Sequence, residues 1–481
     1  MDLQWWDDDS ESRFSAYVES LSRCLGHADR VAPFRAYCTG LLLPGDRKSV
    51  EPMAARLRPD RTAAEHQSLL HFVGQSAWDE TALLRSVRDA VLPVMTARHP
   101  IEAWIVDDTG FPKKGRHSVG VARQYCGQLG KQDNCQVAVS LSVATREASL
   151  PVAWRLYLPE GWAGDAARRK KAKVPATVPF QTKPEIALDQ ITSALDEGIA
   201  PGVVLADAGY GNSSAFRDGL AALGLTFVVG VSETAMAWPP GTLAVVPKGK
   251  KRGRPRKNLR RSGDGAPVAS VATLAGALPA EAWRTVSWRE GVADALASRF
   301  AALRVRPAQG DLRRGTPRPE HWLLVEWPED EDEPTKFWFA TLPADTPIER
   351  LVSLAKRRWL IERDYLELKQ ELGLGHFEGR GWPGFHHHAA LCIAAYGFLV
   401  AERAALPPSA PDTPWLVKAP ELPSGYRPRG SADPNREACA SLDRHPAKTD
   451  RSRPDPKSAT MSMLRTDHNP APQQSQPLMT Q

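Results

Sequence analysis

The sequence contains few cysteines, and none of them is spaced for metal binding or for a catalytic pair. Only six occur among 481 residues, and no two form a C-x-x-C pair. This scatter argues against a disulfide framework and against a structural zinc site. We therefore expect a protein of a reducing compartment, the cytoplasm.

The sequence also lacks a long hydrophobic run. The longest apolar stretch extends from Ala389 to Ala401 and stops at Glu402 and Arg403, whereas a membrane-spanning helix needs roughly 20 apolar residues. The first ten residues are acidic and do not have the basic-then-apolar order of a secretory signal. These absences predict a protein that is neither inserted in a membrane nor exported.

One short stretch lacks acidic residues altogether. Between Lys248 and Arg261 there are nine Lys and Arg residues and no Asp or Glu, in a chain whose net charge is +6. Without these nine cations the rest of the chain would carry a net charge of −3. Positive charge concentrated in this way is typical of a nucleic-acid contact rather than of a uniformly basic protein.

The hydrophobic pattern divides the chain into five segments. Residues 1–95 have helical spacing, and residues 96–231 read as three strands followed by helix, strand, helix and strand, an order that predicts an α/β core. Residues 232–334 interrupt this core with a β-rich insertion. Residues 335–405 supply a last strand and two helices, the first predicted over about 348–372. Residues 406–481, rich in Pro, Ser, Asp and Arg, are expected to be disordered.

Acidic residues stand at the ends of two predicted strands and on a predicted helix. Asp107 and Asp108 follow the first strand, Asp207 follows the fourth, and Glu362 lies on the helix after the insertion. Because adjacent strand ends lie about 5 Å apart, the aspartates can converge beside the glutamate. Carboxylate oxygens suit Mg²⁺ or Mn²⁺ in phosphoryl transfer. The arrangement predicts a metal nuclease, although each acid alone is more typical of a turn or helix cap.

Three motifs around these acids resemble the DDE transposases of bacterial insertion sequences, whose catalytic domain is RNase H-like. The motifs are IVDDTG at 105–110, LADAGYG at 205–211, and RWLIE at 358–362 followed by Lys369. The subgroup with a β-rich insertion before the glutamate has the signature Tyr-x2-Arg-x3-Glu-x6-Lys. Arg358, Glu362 and Lys369 fit that spacing, and Ala355 stands at the tyrosine position. The resemblance spans about residues 30 to 400.

The resemblance implies an RNase H-like α/β core and a Mg²⁺-dependent transposase that uses two ions, with Mn²⁺ able to substitute. Asp108, Asp207 and Glu362 would be the metal ligands, because in similar transposases the acid directly before Thr is the ligand. Asp107 is the alternative first ligand, since successive strand residues point to opposite faces. Arg358 and Lys369 would position phosphates.

The implied partners are double-stranded DNA and a second copy of the chain. The DNA would be the terminal repeats of the mobile element and its target, and a homodimer is expected because two ends must be processed together. The helical residues 1–95 are the candidate for end binding and dimerisation. No membrane is implied, and the enzyme would act in the cytoplasm, associated with the nucleoid when bound to DNA.

Basic segments outside the three motifs add candidate DNA contacts. Arg252, Arg254, Arg256 and Lys257 surround the Arg-Gly-Arg-Pro core of an AT-hook, which can lie in the narrow minor groove of A·T-rich DNA. A solvated loop with non-specific phosphate attraction explains this segment equally well. Two shorter runs, 113–116 and 168–171, can add phosphate contacts, although an ordinary exposed loop is the simpler explanation for each.

Two other functions remain open on this sequence. A non-transposing RNase H-like nuclease would use the same metal site, and a catalytically inactive DNA-binding protein would use only the basic segments. A glycosidase with paired carboxylates has no need for the basic cluster. The consecutive His386, His387 and His388 are not expected to chelate one ion, because neighbouring helical residues point about 100° apart. We expect them at a helix N-terminus near the mouth of the site.

Overall fold

Five helices with buried apolar faces form the N-terminal region, as the helical spacing predicts. The computed structural model describes residues 8–242, 244–245, 260–261, 267–290, 295–309 and 318–405. The five helices are α1 (Asp8–Ser22), α2 (Val31–Leu42), α3 (Val50–Leu57), α4 (Thr62–Gly74) and α5 (Glu80–Met95). Asp79 begins α5 by accepting a hydrogen bond from the N–H of Thr81, the capping interaction expected of an aspartate there.

An antiparallel meander follows the helices. Its strands are β1 (Ala103–Pro112), β2 (Ala122–Cys126), β3 (Lys131–Ala144) and β4 (Ser149–Leu156). β3 pairs with β1 on one side and with β4 on the other, both antiparallel, as predicted for the first three strands of the core. β2 is an additional short strand that pairs with the first half of β3. Its alternation of exposed and buried residues is too short to stand out in the sequence.

Parallel strands complete the core of the sheet. The chain continues through α6 (Glu160–Ala163), α7 (Ala166–Lys171), α8 (Lys183–Asp196), β5 (Val203–Ala206), α9 (Ala208–Gly211), α10 (Ser214–Ala222) and β6 (Phe227–Val231). β5 is parallel to both β1 and β6, so the core order is β4-β3-β1-β5-β6. Three antiparallel strands joined to two parallel ones, with helices between them, are the predicted RNase H-like α/β core.

The insertion extends this sheet. Its elements are β7 (Met236–Trp238), β8 (Ala244–Val245), β9 (Arg260–Arg261), β10 (Ala269–Ser270), α11 (Val271–Gly276), β11 (Arg284–Glu290), β12 (Ala295–Pro307) and β13 (His321–Trp327), and β14 (Lys336–Ala340) follows it. β14 pairs antiparallel with β6, and β13 and β12 continue outward from β14. The AT-hook-like residues Arg252, Arg254, Arg256 and Lys257 lie outside the described residues, as do residues 406–481.

Two helices replace the single long helix predicted over 348–372. These are α12 (Ile348–Arg357) and α13 (Trp359–Gln370), and they meet at Arg358. The N–H of Ile361 bonds to the carbonyl of Arg358, three residues back, instead of continuing the four-residue ladder. The prediction of one uninterrupted helix was wrong because neither Pro nor Gly marks the break.

The last helix, α14 (Trp382–Ala405), lies in the middle of the protein rather than at its surface. It is long and apolar enough to cross a membrane by length and composition, but 89% of its most apolar window is buried inside the protein. It packs against α2, α4, α5 and β4. The Tyr17 hydroxyl donates to the carbonyl of Ala394, and Arg13 pairs with Glu402. These contacts are those of a core helix.

The three consecutive histidines are buried on α14, each with its own partners. His386 receives the N–H of Leu156 at Nε2 (3.2 Å) and hydrogen bonds through Nδ1 to the carbonyl of Trp382 (2.9 Å). His388 lies between the Tyr37 hydroxyl (2.9 Å) and the carbonyl of Gly373 (3.1 Å). His387 lies between the carbonyls of Val73 and Trp78, at 3.0 Å from each. The His386 ring can satisfy both of its partners only when it is neutral, because its Nε2 must accept the N–H of Leu156. The histidines lie near the N-terminus of α14, as expected, but they are buried in the core and do not line the mouth of a site.

The buried histidines should make folding sensitive to mild acid. Burial lowers the pKa of His386 and of His388 to about 4, below the value in the unfolded chain. The unfolded state therefore binds more protons, and stability that is complete above about pH 6.5 is lost as the pH falls towards about 4. Between pH 7 and pH 5 we expect each histidine to remove about 2 kcal/mol from the free energy of unfolding.

Urea unfolding of the wild type and of the single variants His386→Gln and His388→Gln at both pH values measures this. Each variant should lose less stability on acidification than the wild type. The exposed His117→Gln variant is the matched control and should follow the wild type. Equal losses in all four proteins would contradict the prediction.

Candidate functional site

The first two acidic motifs meet because β1 and β5 are neighbouring parallel strands. Ile105 pairs with Leu205 in this ladder, so the same register carried two residues further sets Asp107 opposite Asp207. Paired residues of adjacent strands point to the same face of a sheet. Asp207 is the first residue after β5, whereas Asp107 is still inside β1.

Asp107 faces the helix that carries Glu362. Its partner on β3 is Ser140, and the hydroxyl of Ser140 lies 2.6 Å from the hydroxyl of Tyr365 on α13. Asp107 is only 8% exposed. Burial, opposed by the charge of Arg358 and reinforced by the charges of Asp207 and Asp108, raises the pKa of the Asp107 carboxyl to about 7. A buried carboxyl among other carboxyls attracts a cation.

Arg358 is the cation that occupies this position. Its Nη1 lies 2.6 Å from Oδ2 of Asp107, and its Nη2 lies 2.6 Å from Oε1 of Glu362. Burial works against the charge of the guanidinium, but Asp107, Glu362 and then Asp207 outweigh it and raise its pKa. One guanidinium therefore links Asp107, the alternative first ligand, to Glu362, the third predicted ligand.

Asp108 points to the other face of the sheet. Its Oδ2 receives hydrogen bonds from Nζ of Lys183 at 2.7 Å and from the hydroxyl of Tyr210 at 3.2 Å. Burial lowers the pKa of the Lys183 ammonium, but the carboxylate of Asp108 outweighs this and raises it, with smaller contributions from Asp207 and Asp107. Lys183 thus approaches the carboxylates from the side opposite Arg358.

Lys183 and Tyr210 were not among the residues predicted from the sequence. Lys183 is the first residue of α8, whose start is fixed by a capping box between Thr182 and Glu185. The Thr-x-x-Glu spacing marks that helix start in the sequence, but no local signal places it beside a residue 75 positions away. Tyr210 belongs to the second motif, three residues after Asp207. Its place in that motif was the only sequence signal for a role at the site.

Asp207 also caps the N-terminus of α9, as aspartates that follow a strand often do for the next helix. Its Oδ1 accepts a hydrogen bond from the N–H of Gly209, at the start of α9. α9 in turn lies close against β6. A Cβ atom on Gly211 would overlap the carbonyl oxygen of Gly230, so the second glycine of the motif permits this close approach. The cap and the glycine together fix where Asp207 sits.

The helix carrying Glu362 is anchored by a second buried acid. Oδ1 of Asp364 accepts hydrogen bonds from the Ser149 hydroxyl (2.6 Å) and from the Tyr396 hydroxyl (2.8 Å). Burial raises the pKa of Asp364 to about 6. These bonds tie α13 to β4 and to α14. Glu362 is therefore presented by a helix that is fixed on both sides.

Lys369 and Ala355 are the remaining positions of the signature, and neither side chain forms a hydrogen bond or an ion pair with the acids in the structure. Lys369 donates from Nζ to the carbonyl of Gly110 at 2.8 Å and lies over the ring of Phe111, and its burial lowers its pKa to about 8. Ala355, at the tyrosine position, is buried on α12. Lys369 thus contacts the end of β1 and not the acids.

The donor set fits a divalent metal ion by its chemistry, with one rearrangement. Asp107, Asp207 and Glu362 offer hard carboxylate oxygens, and Asp107 is held among like charges in a buried position. Within the ranges described above, no three His, Cys, Asp or Glu side chains are arranged to hold a metal ion as they stand. Because Arg358 separates Asp107 from Glu362, its side chain would have to leave that position when an ion binds.

Comparison with known proteins identifies the family. Residues 20–295, more than half of the chain, match the model of the DDE superfamily endonucleases. The chain belongs to the DDE superfamily of endonucleases. The matched part of this DDE endonuclease includes both aspartate motifs and ends before Glu362. Membership in this family implies dependence on a divalent metal.

A curated relative is similar to part of this DDE endonuclease. It is the "Probable transposase for insertion sequence element IS701" of Microchaete diplosiphon, which is 34% identical over 166 residues. The aligned region covers 34% of this chain and 40% of the relative. This chain therefore spans about two fifths of the length of that relative.

Substitution of Gly211 should disturb the position of Asp207. We expect Gly211→Ala to lower the thermal unfolding midpoint measurably, because its Cβ would overlap a backbone carbonyl that cannot move without shifting β6. Differential scanning fluorimetry measures the shift. Gly161→Ala is the matched control, since a Cβ there would meet no atom within 4 Å. If Gly211→Ala melts together with Gly161→Ala, the close approach does not constrain the motif.

Proposed function

We propose that this DDE endonuclease is the transposase of a bacterial insertion sequence. It would cut DNA at the ends of its element and transfer the released 3′-hydroxyl strands to target DNA. The observation that carries the proposal is the cluster that Asp207, Arg358 and Glu362 form around the buried carboxyl of Asp107, at the junction of β1, β5 and α13. The similarity of 166 residues to a probable insertion-sequence transposase supports it.

The metal ligands in this proposal are one acid of β1, Asp207 and Glu362. Asp108, the acid directly before Thr109, was the first ligand predicted from the sequence. The geometry favours Asp107. Its side chain lies on the face of the sheet that α13 covers, and it forms an ion pair with Arg358, as Glu362 does. Asp108 is engaged with Lys183 and Tyr210 on the other face. Asp107 is therefore our candidate, and a pair of matched variants separates the two.

The chemistry would be phosphoryl transfer without a covalent protein intermediate. Asp107, Asp207 and Glu362 would hold two Mg²⁺ ions, for which Mn²⁺ can substitute, and the bound ions would supply activation of the attacking oxygen and stabilisation of the leaving oxygen. Arg358, released from the carboxylates, can turn its planar guanidinium towards a phosphate of the bound strand. Lys369 would contact the strand near Gly110. The protein's share is to position these groups and to concentrate negative charge where cations bind.

The proposed partners follow from the reaction. Double-stranded DNA would be bound both as element ends and as target, with the basic residues Arg252, Arg254, Arg256 and Lys257 as further contacts. Two ends must be cut together, so a homodimer is expected in the DNA complex. The enzyme would act in the cytoplasm and associate with the nucleoid when bound to DNA.

Cleavage and joining of labelled DNA test the proposal. With Mg²⁺ and a duplex carrying the terminal repeats that flank the gene, the purified protein should nick at the repeat ends and join them to a second duplex. Asp207→Asn and Glu362→Gln should abolish both steps while DNA binding is retained. Cutting without joining would identify a non-transposing nuclease, and binding without cutting would identify an inactive DNA-binding protein. If the two variants cleave DNA as fast as the wild type does, the proposed catalytic site is wrong.

Asp107→Asn and Asp108→Asn distinguish the two candidates for the first ligand. We expect Asp107→Asn to reduce the cleavage rate more than about 100-fold, because loss of a residue that only supports a metal ligand already costs about 10–100-fold. Asp108→Asn should reduce the rate only about tenfold, since the amide oxygen can still accept hydrogen bonds from Lys183 and Tyr210. The opposite order of rates would assign the ligand to Asp108.

Metal binding can be measured without DNA and without turnover. Mn²⁺ at about 100 times its dissociation constant should stabilise the folded protein by about 2.7 kcal/mol, which raises the unfolding temperature by a few degrees. The increase should be much smaller in an Asp207→Asn, Glu362→Gln double variant. The Glu367→Gln variant on the same helix is the control and should respond as the wild type does. An equal increase in all three proteins would place the ion elsewhere.

A further inference from the structure

A basic surface is formed by the loop that follows β1 and by α7, and the proposed function has not yet used it. It consists of five exposed side chains, which we call the α7 surface. They are Lys114 and Arg116 in the loop between β1 and β2, Lys170 and Lys171 on α7, and Lys173 directly after it. The two parts are far apart in sequence, so the fold alone brings this charge together.

Defined contacts join the two parts. Nη2 of Arg168 on α7 donates to the carbonyl of Arg116 at 3.4 Å. The guanidinium of Arg168 also lies 3.8 Å from the ring centroid of Trp162, whose indole N–H donates to the carbonyl of Val121 at 2.8 Å. The helix and the loop therefore form one continuous surface.

The α7 surface is held rigidly. Asp165 caps α7 by accepting the N–H of Arg168 at 2.9 Å, and the N–H of Trp382 donates to the carbonyl of Ala172 at 2.8 Å. Lys173 has a φ of 57°, a left-handed conformation that a glycine would adopt with less strain. A surface that is already ordered loses little conformational entropy when it binds a partner.

The cations of this surface also lack acidic partners. Within the part of the chain that the structure describes, none of the five forms an ion pair with a carboxylate. Elsewhere on the surface arginines are paired, as Arg35 is with Glu19, Arg85 with Glu197 and Arg403 with Glu367. Five clustered cations without counter-charges give a strong positive potential, which attracts a polyanion.

The surface is connected to the catalytic acids through both of its parts. Lys114 lies two residues beyond the end of β1, the strand that carries Asp107 and Asp108. The segment after Lys173 leads into α8, whose first residue, Lys183, lies 2.7 Å from Asp108. The Lys183 side chain is 39% exposed, so it extends the positive charge up to the acids.

We propose that the α7 surface binds the phosphate backbone of duplex DNA next to the phosphate that is cut, an inference that rests on the proposed action on DNA. Charge complementarity selects this occupant, since duplex DNA presents one negative charge about every 1.7 Å of its axis. The contacts are to phosphates and carry no base sequence. The surface therefore serves element ends and target DNA alike.

Binding of a fluorescent duplex without terminal repeats, followed by anisotropy over a series of salt concentrations in EDTA, tests this. The variant Lys170→Ala, Lys171→Ala, Lys173→Ala should bind about 10–100-fold more weakly at low salt. Its plot of log affinity against log salt should be less steep by about 2–3, because each lost phosphate contact contributes about 0.9 to the slope. The triple Lys→Arg variant at the same positions keeps the charge and should retain the wild-type slope.

A second triple variant, Arg146→Ala, Arg284→Ala, Arg403→Ala, removes the same charge from exposed positions outside this surface and outside residues 1–95, and should change the slope much less. A slope that is unchanged in the lysine variant, or reduced equally in both triple variants, would overturn the proposal. Circular dichroism shows whether each variant is folded. Because the assay contains no divalent metal, its outcome is independent of the cleavage test. If the enzyme cuts DNA without using the α7 surface, the lysine triple variant should cleave normally and its salt slope should equal that of the wild type.

Discussion

Negative charge that is buried at the junction of β1 and β5 is the constraint on which the site depends. Asp107 is buried beside Asp207, and the backbone N–H groups that donate to these two carboxylates carry no full positive charge. Arg358 supplies one by placing its guanidinium between Asp107 and Glu362. The break between α12 and α13 falls at this residue, so the backbone there is free of the regular helical ladder.

The sheet separates the two adjacent aspartates into different environments. Asp107 faces α13 and Arg358, the residue just before that helix, whereas Asp108 faces α8 and its Lys183. Each face thus has one acid of the pair and one cation. This division explains how two neighbouring carboxylates can coexist, since the strand directs them apart and each finds its own counter-charge. It also gives the acidic cluster cationic groups on two sides, as a site for a charged polymer requires.

Much of this arrangement could be predicted from the sequence, and the exceptions have physical causes. The strands and their acids could be predicted from apolar runs that end in aspartate, because a buried strand and the turn after it each leave a local pattern in the sequence. The face on which Asp107 lies could not be predicted, since it depends on register with β3 and β5. Lys183 was missed because its partner is distant in sequence. The family model covers the aspartates, while the roles of the individual site residues remain predictions.

The place of α14 in the core has a consequence for how the chain matures. The N-terminal helices bury their apolar faces against this helix, and the bonds from Tyr17 to Ala394 and from Tyr37 to His388 span most of the chain. During synthesis α1 to α5 emerge long before the segment that completes their interior. A chain cut short before α14 would lack the helix against which α2, α4 and α5 pack, and its interior would be left open.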